Sequence, residues 1–294
     1  MKSNLQGFSA YTFAVLVVST MCACGPGSSD PSAVNNVQQA WFQDNGPGLD
    51  GIRKDWNVVG FEEMPGLFGF LQGLTRSILQ AYLPGARLLA VTSGYATLPA
   101  RVVSVSSSSE APDGVAYRIT VDVAGRSEAL CGTDATGSPV LAIRLPGTWD
   151  HRTGVKGGGD HVSDNQHFTL ACQGSTLEKC AELYSPWTST QAAAAFQTCT
   201  RVLRADYCGD GTPHTSPGVV IDIKDRLGKD FQPGSAHWSD EAIWGEQGAG
   251  CLANLRAAAL VPDCFARIEN PSCMNPPVFT DPNMQLMTRV AQNE

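Results

Sequence analysis

Eight cysteines between residues 131 and 273 constrain the fold of this chain more than any other feature of its sequence. Ten cysteines occur in all, and two of them, Cys22 and Cys24, belong to the N-terminal segment. An even set of this kind forms disulfides in an oxidising compartment, whereas in the cytosol it is more often metal-binding or catalytic. Whether the protein is exported or cytosolic therefore decides whether these cysteines are interpreted as disulfides. The eight are Cys131, Cys172, Cys180, Cys199, Cys208, Cys251, Cys264 and Cys273.

The beginning of the chain has the pattern of an export signal. Lys2 is the one charged residue there, and residues 8–21 are apolar or small, a length that suits a signal peptide better than a membrane span of about 20 residues. The segment closes on an alanine followed by a cysteine, which is similar to the lipobox of bacterial lipoproteins. We predict that residues 1–23 are a lipoprotein signal peptide, that Cys24 carries the lipid and that residues 24–34 are a flexible tether. Ordinary cleavage at the same place, which would release a secreted protein, is the alternative.

Export favours disulfides, and the cysteine spacing predicts two of them. We expect four disulfides and therefore neither a catalytic thiolate nor cysteine-bound zinc. Cys172 precedes Cys180 by 8 positions, and Cys199 precedes Cys208 by 9. On helices, such partners lie about two turns apart on one face, too far apart to bond to each other. Across an antiparallel helical hairpin they would pair as Cys180–Cys199 and Cys172–Cys208, unless Gly174 interrupts the first helix. The other four would pair among themselves in an order that the spacing leaves open.

The first half of the folded chain has the hydrophobic pattern of strands. Apolar and polar residues alternate over residues 117–123, the period of a half-buried strand. Residues 87–91, 100–105 and 139–145 are further expected strands. These segments predict a mainly antiparallel sheet.

The second half has mainly helical spacing. We expect a helix in part of residues 168–183, a second one that begins after a Ser189 cap, and further helices at 240–244 and 251–260. One short strand is expected at residues 219–223. The sequence therefore predicts an α+β fold, with antiparallel strands in the first half followed by a disulfide-linked helical part.

The domain organisation that follows has three parts after the tether. Residues 35–85 form a mixed N-terminal segment, residues 86–269 a disulfide-rich domain, and residues 270–294 a proline-rich tail that we expect to be poorly ordered beyond Cys273. The net charge of −8 argues against nucleic acid as a partner, because nucleic acid requires a basic surface.

One stretch of the second half, residues 204–211, resembles the signature of the ADYC domain family of exported bacterial proteins, chiefly myxobacterial ones. Shorter matching pieces occur at residues 147–150, 168–172 and 242–245, so the resemblance covers roughly residues 86–265. It implies export and disulfide bonding and carries over no catalytic residue. The residues of the signature are Arg204, Ala205, Asp206, Tyr207, Cys208, Gly209, Asp210 and Gly211.

Carboxylates and imidazoles near these motifs are weak candidates for a metal site. His151, His161 and His167 lie in the polar segment of residues 150–167, but their spacing matches no zinc motif, and a solvated loop is the favoured interpretation. Asp206 and Asp210 could bind a cation. We favour a structural role in which Asp210 stabilises the turn, Tyr207 packs, and Asp206 pairs with Arg201 or Arg204.

These observations predict a disulfide-stabilised bacterial lipoprotein that faces the periplasm or cell surface and acts as a binding or structural module. Its partners would be the membrane, through the lipid anchor, and an unknown protein or glycan ligand; we predict no cofactor. The alternative is an extracytoplasmic hydrolase with a metal or acid–base site built from residues 150–167 and His214.

Overall fold

The structure is a computed structural model. The predicted signal peptide, Cys24, the predicted tether and Cys273 lie outside the residues that it describes. The described residues are 49–52, 56, 58–63, 84–109, 111–112, 114–164, 166–184, 189–216, 218–226, 228, 230–231, 238–256, 261–272 and 279–291.

The first structural unit is a closed antiparallel barrel. Six strands pair in the order β3-β2-β1-β9-β6-β4, and β4 pairs back to β3, while β5 extends from β4. Two short strands, β7 and β8, form a separate ribbon. The strands are β1 (Val58–Glu63), β2 (Arg87–Thr92), β3 (Thr97–Ser107), β4 (Val115–Val123), β5 (Arg126–Ala129), β6 (Ala142–Pro146), β7 (Thr148–Trp149), β8 (His161–Val162) and β9 (Phe168–Cys172).

Alternating burial builds the interior of the barrel. Along β4, Ile119 and Val121 are buried and Arg118 is exposed, as the period-two pattern predicts. Leu88 and Val102 from the neighbouring strands pack in the same cluster. The four strands predicted between residues 87 and 145 are confirmed.

The second unit is a five-stranded antiparallel sheet. Its order is β11-β10-β14-β12-β13, so the strand nearest the C-terminus is the central one. Burial along β14 shows that this strand belongs to the folded core, since Leu286 and Met287 are buried. The strands are β10 (Ile221–Asp225), β11 (Asp230–Phe231), β12 (Trp238–Gly245), β13 (Gly248–Leu252) and β14 (Met284–Ala291).

The described residues also form three helices: α1 (Thr176–Tyr184), α2 (Thr190–Arg204) and the short α3 (Phe265–Ile268). The α2 helix begins as predicted, because the Ser189 side chain accepts a hydrogen bond from the amide of Ala192 at 3.1 Å. It packs against α1 on one side and against β12 and β14 on another. The core of this region is continuous from Leu145 of the barrel through Leu203 to Trp244 of the second sheet.

The structure corrects part of the predicted fold class. With 41% of the described residues in strands and 15% in helices, this part of the protein is mostly β, and only loosely α+β. The helix predicted at residues 240–244 is strand β12, and the start of the helix predicted at 251–260 lies in β13. Five consecutive buried residues end β12, and such a run lacks the alternation that marks a half-buried strand.

The expectation of a poorly ordered tail is also wrong for residues 284–291, which form β14. The prolines of the tail precede β14, so they do not indicate how this strand pairs. Residues 273–278 and 292–294 lie outside the described part of the chain.

Disulfide bonding is confirmed, and one predicted pairing is wrong. Cys180 bonds to Cys199 between α1 and α2, as predicted for a helical hairpin. Cys172, however, is the last residue of β9 and bonds to Cys131. The chain turns at Gly174 before α1 begins, so the eight-residue interval does not lie on one helix.

The prediction that Cys131, Cys251, Cys264 and Cys273 pair among themselves is also wrong, because Cys131 and Cys264 both have partners outside this set. Cys208 bonds to Cys264, which connects the end of α2 to the start of α3. Cys251 is disulfide-bonded as well.

Candidate functional site

The residues that follow α2 form a compact turn around the carboxylate of Asp206. Ala205 ends the helix in the left-handed conformation, with φ of 50°. Asp206 is fully buried, and its carboxylate accepts hydrogen bonds from the amides of Asp210 at 3.1 Å and Gly211 at 2.9 Å. Asp210 in turn accepts from the amide of Thr212 at 2.9 Å. The two carboxylates therefore stabilise the turn, as the structural interpretation predicted.

Arg201, one helical turn before this segment, joins three parts of the molecule. Its guanidinium donates to Asp206 and to the carbonyl of Gly158, both at 2.5 Å, and to Asp160. Its Nε donates to the carbonyl of Glu246 at 3.0 Å. The Arg201 side chain is only 1% exposed, so its positive charge is buried. A buried charge needs several close hydrogen-bonding partners, and these contacts supply them. We call residues 201–211 with their partners 158–160 and 246–249 the junction.

Glycines allow the backbones of the junction to approach one another. A β-carbon on Gly209 would lie 2.1 Å from the carbonyl oxygen of Gln247, and one on Gly211 would lie 2.3 Å from that of Arg152. On the opposite side of this contact, a β-carbon on Gly158 would lie 2.2 Å from the carbonyl oxygen of Asp210. Both signature glycines also have positive φ, 66° for Gly209 and 82° for Gly211. The glycines of the signature are therefore required by packing.

Tyr207 connects the signature turn to the second sheet. Its hydroxyl donates to Glu241 at 2.7 Å and accepts from the amide of Arg256 at 2.9 Å, while its ring stacks on Trp244 at 5.0 Å. The guanidinium of Arg256 pairs with Glu241 through two bonds of 3.0 Å. Burial and the neighbouring Glu241 carboxylate raise the pKa of Tyr207 far above its usual range, so the phenol stays a neutral donor.

Arg204 and His214 fix the other side of the turn. Arg204 donates to the carbonyl of Gly211 at 2.5 Å, and its own carbonyl accepts from the amide of His214 at 3.0 Å. Burial lowers the pKa of the Arg204 guanidinium. The ring of His214 packs on the ring of Tyr207, with 5.9 Å between their centroids, so His214 is buried beside the junction.

The three candidate histidines each have a different set of neighbours. His161 Nε2 lies 3.0 Å from the carbonyl of Pro146, and its ring packs on Trp149 at 4.6 Å. His167 Nδ1 lies 2.6 Å from Asp164. His151 Nε2 lies 3.8 Å from the carboxylate of Asp50.

These neighbours assemble no metal site within the described ranges: no group of three or more His, Cys, Asp or Glu side chains there could hold a metal ion. The segment of residues 150–160 does meet the signature turn, but as packed backbone, since the amide of Gly154 donates to Thr212 at 3.0 Å.

A surface cleft of about 390 Å³ lies beside the junction, at the turn between β12 and β13. The contact from Arg201 to the Glu246 carbonyl and a 2.9 Å bond from the Ala249 amide to the carbonyl of Tyr207 fix this turn. Two exposed side chains of opposite charge, Glu246 and Arg267, belong to the cleft, and neither forms an ion pair within the described residues. The lining consists of residues 245–250, Arg267, Ile268, Asn283 and Met284.

Sequence reasoning missed three of these partners. Glu241 and Arg256 lie far from Tyr207 in the chain, and no local pattern connects them. Asp50 lies in a segment that the sequence left unassigned. Arg201 was named only as a possible partner of Asp206, although its spacing of five residues from Asp206, across a helix end, was a usable signal.

The described structure defines a class of protein: a β-rich domain held together by disulfides, which are typical of proteins outside the cytoplasm. Among the described residues, no helix combines the length and apolar character needed to span a membrane.

The ADYC domain family model matches residues 80–258, which contain the signature turn, and the chain belongs to this family. The resemblance seen in the sequence is thereby confirmed. No curated protein and no solved structure matches the chain.

Proposed function

We propose that this protein is an exported, lipid-anchored binding module of the bacterial envelope, with a protein or glycan ligand. The observation that carries the proposal is the use of the signature residues. Most of their polar groups are occupied by internal contacts. The contacts of Arg201 with the Glu246 carbonyl and of the Tyr207 carbonyl with the Ala249 amide fix a solvent-open cleft at residues 245–250. A rigid frame around an open cleft is what ligand binding requires, because a preformed site avoids the entropy cost of ordering on binding.

The composition of the cleft supports a polar ligand. Its volume falls in the usual range for ligand sites, roughly 300–1,000 Å³. Arg267 offers hydrogen-bond donors in a planar fork and Glu246 offers acceptors, and both side chains are exposed. Gly250, which is exposed in the same turn, adds backbone groups to the lining. Both peptides and glycans present groups that match this set.

Binding by the cleft is tested by charge reversal at one of its edges. We would probe an array of bacterial cell-wall glycans and synthetic peptides with the mature protein, its Arg267→Glu variant and an Arg126→Glu control on the exposed start of β5. We expect the control to keep any binding and Arg267→Glu to weaken it at least tenfold. Binding that both variants retain equally, turnover of a probe or the absence of any binding would contradict the proposal.

The lipid anchor is tested separately at Cys24. We expect the wild-type protein to partition into the detergent phase of fractionated cells and the Cys24→Ala variant to leave it. Identical partition of the two would show that Cys24 carries no lipid and would leave the cleft test unaffected.

A further inference from the structure

The segment of residues 49–52 carries a buried carboxyl group that the junction does not use. Asp50 is 6% exposed, and one of its oxygens accepts a 3.0 Å hydrogen bond from the amide of Ile52. The backbone of the segment binds the barrel and α1, since the carbonyl of Asp50 accepts from Cys172 at 2.8 Å and that of Leu49 accepts from Leu177 at 3.0 Å. Gly51 packs directly on Cys172. Asp50 therefore lies where three elements meet.

The polar groups around Asp50 are incompletely satisfied. His151 Nε2, 3.8 Å from the Asp50 carboxylate, has no hydrogen-bond partner among the described residues, and neither has Nε of Arg204. The hydroxyl of Thr176, at the start of the adjacent helix α1, also has no hydrogen-bond partner among the described residues. A distance of 3.8 Å permits charge attraction but not a hydrogen bond. The arrangement thus stabilises a negative charge on Asp50 less well than Arg201 stabilises Asp206.

The charged groups near Asp50 come from three directions. His151 follows β7, and Arg204 ends α2, where it also faces Arg201, Asp206 and Asp210. Glu178 and Lys179 are the buried charged residues of α1, the helix that packs on the segment. Burial raises the pKa of Asp50, and the cations His151 and Arg204 oppose this only in part.

We propose that Asp50 is a pH-responsive contact: as the surroundings acidify it takes up a proton, and residues 49–52 then bind more firmly to the barrel and to α1. A carboxyl whose pKa is raised on folding stabilises the folded state most at low pH, and this contribution is lost as pH rises through the folded value. Carboxyls with lowered pKa, such as Asp150 beside Arg152 and Asp164 with its backbone amides, respond in the opposite direction. Acidification therefore has opposite effects on the contribution of Asp50 and on those of Asp150 and Asp164.

Amide hydrogen exchange at residues 172 and 177 tests the proposal on the intact protein between pH 4 and 7, because these two amides donate to the backbone of the segment. After correction for intrinsic rates, we expect protection of the two amides to increase as pH falls and the increase to disappear in Asp50→Asn. Asparagine keeps the acceptor for Ile52 and removes the titration. The matched control is Asp134→Asn, an exposed carboxyl whose pKa is lowered by its bonds to Thr136 and Ser138; it should leave the two amides unchanged.

A second variant and a direct titration keep the proposal falsifiable if Asp50→Asn folds poorly. His151→Gln removes the nearer cation, so the exchange transition should move to higher pH. Carbon NMR of the wild-type carboxyl should give a pKa for Asp50 above that of an ordinary aspartate. An ordinary or lowered value, or an unchanged pH response in Asp50→Asn, would overturn the proposal.

Discussion

The signature turn at residues 204–211 and the segment at residues 161–167 contain similar residue types and use them differently. In the turn, Asp206 is completely buried and is bonded to Arg201 and two amides. In the segment, Asp164 and His167 pair with each other near the surface, where both side chains keep about 30% exposure. Removing one partner of a buried pair of the first kind is strongly destabilising because it leaves an uncompensated buried charge, whereas exposed pairs of the second kind contribute little. The difference shows that residue types alone do not indicate chemistry.

The largest effect is expected from removing the central cation of the junction. Arg201→Met would leave Asp206 buried without its partner, and breaking a buried pair in this way costs about 3–5 kcal/mol of unfolding free energy. Urea unfolding followed by tryptophan fluorescence measures the loss. The double variant Arg201→Met with Asp206→Asn should recover part of it, and a loss below about 1 kcal/mol in the single variant would show that Arg201 is not central.

Adding a methyl group at a glycine of the signature turn should lower the unfolding free energy by less than the loss of Arg201. It should lower it by more than a methyl group added at a glycine with open space around it. Gly209→Ala places a β-carbon against the backbone of Gln247, which cannot move without displacing the β12–β13 turn. Gly174→Ala is the matched control, with φ of 82° and open space around it. We expect about 1 kcal/mol for the control, from its conformation alone, and about 2–4 kcal/mol for Gly209→Ala. Equal losses in thermal unfolding would remove the packing argument for the signature glycine.

Loss of the Tyr207 hydroxyl should have a moderate effect. Tyr207→Phe keeps the ring on Trp244 but leaves Glu241 and the amide of Arg256 each without one partner, at a cost of about 1–3 kcal/mol. Tyr95→Phe, on a side chain that is 91% exposed, should change the unfolding free energy by less than about 0.5 kcal/mol. A comparable loss in both variants would contradict the buried network.

The smallest effect is expected in the exposed segment. His167→Ala removes a partly exposed pair with Asp164 and a 3.7 Å contact with Glu62, so we expect less than about 0.5 kcal/mol. The melting temperature of the wild type should also be the same with and without added zinc. Stoichiometric zinc in the purified protein, together with a large loss in His167→Ala, would instead make this segment the functional site.

The sequence predicted what depends on local pattern. Alternation along β4 and the Ser189 cap of α2 are visible in neighbouring residues, and both predictions are confirmed. The pairing of Cys180 with Cys199 followed from helical geometry. Cys172 was wrongly placed, because nothing near it shows that a strand ends there.

The parts that could not be predicted depend on distant neighbours. Strand β14 is central because β10 and β12 flank it, and its short sequence does not reveal them. Tyr207 meets Glu241 across 34 positions, and Arg201 meets the carbonyl of Gly158 across 43. Hydrophobic periodicity reports which face is buried, and it cannot report which partner buries it.

Cys208 is the signature residue that most directly separates a structural junction from a reactive site, because a free thiolate there could act as a nucleophile. Peptide mapping under non-reducing conditions, on protein purified from the native organism after thiol alkylation, gives the answer. The structure predicts linked peptides for Cys131–Cys172, Cys180–Cys199 and Cys208–Cys264, with no alkylated Cys208. An alkylated, unlinked Cys208 would contradict the structural role assigned to the signature.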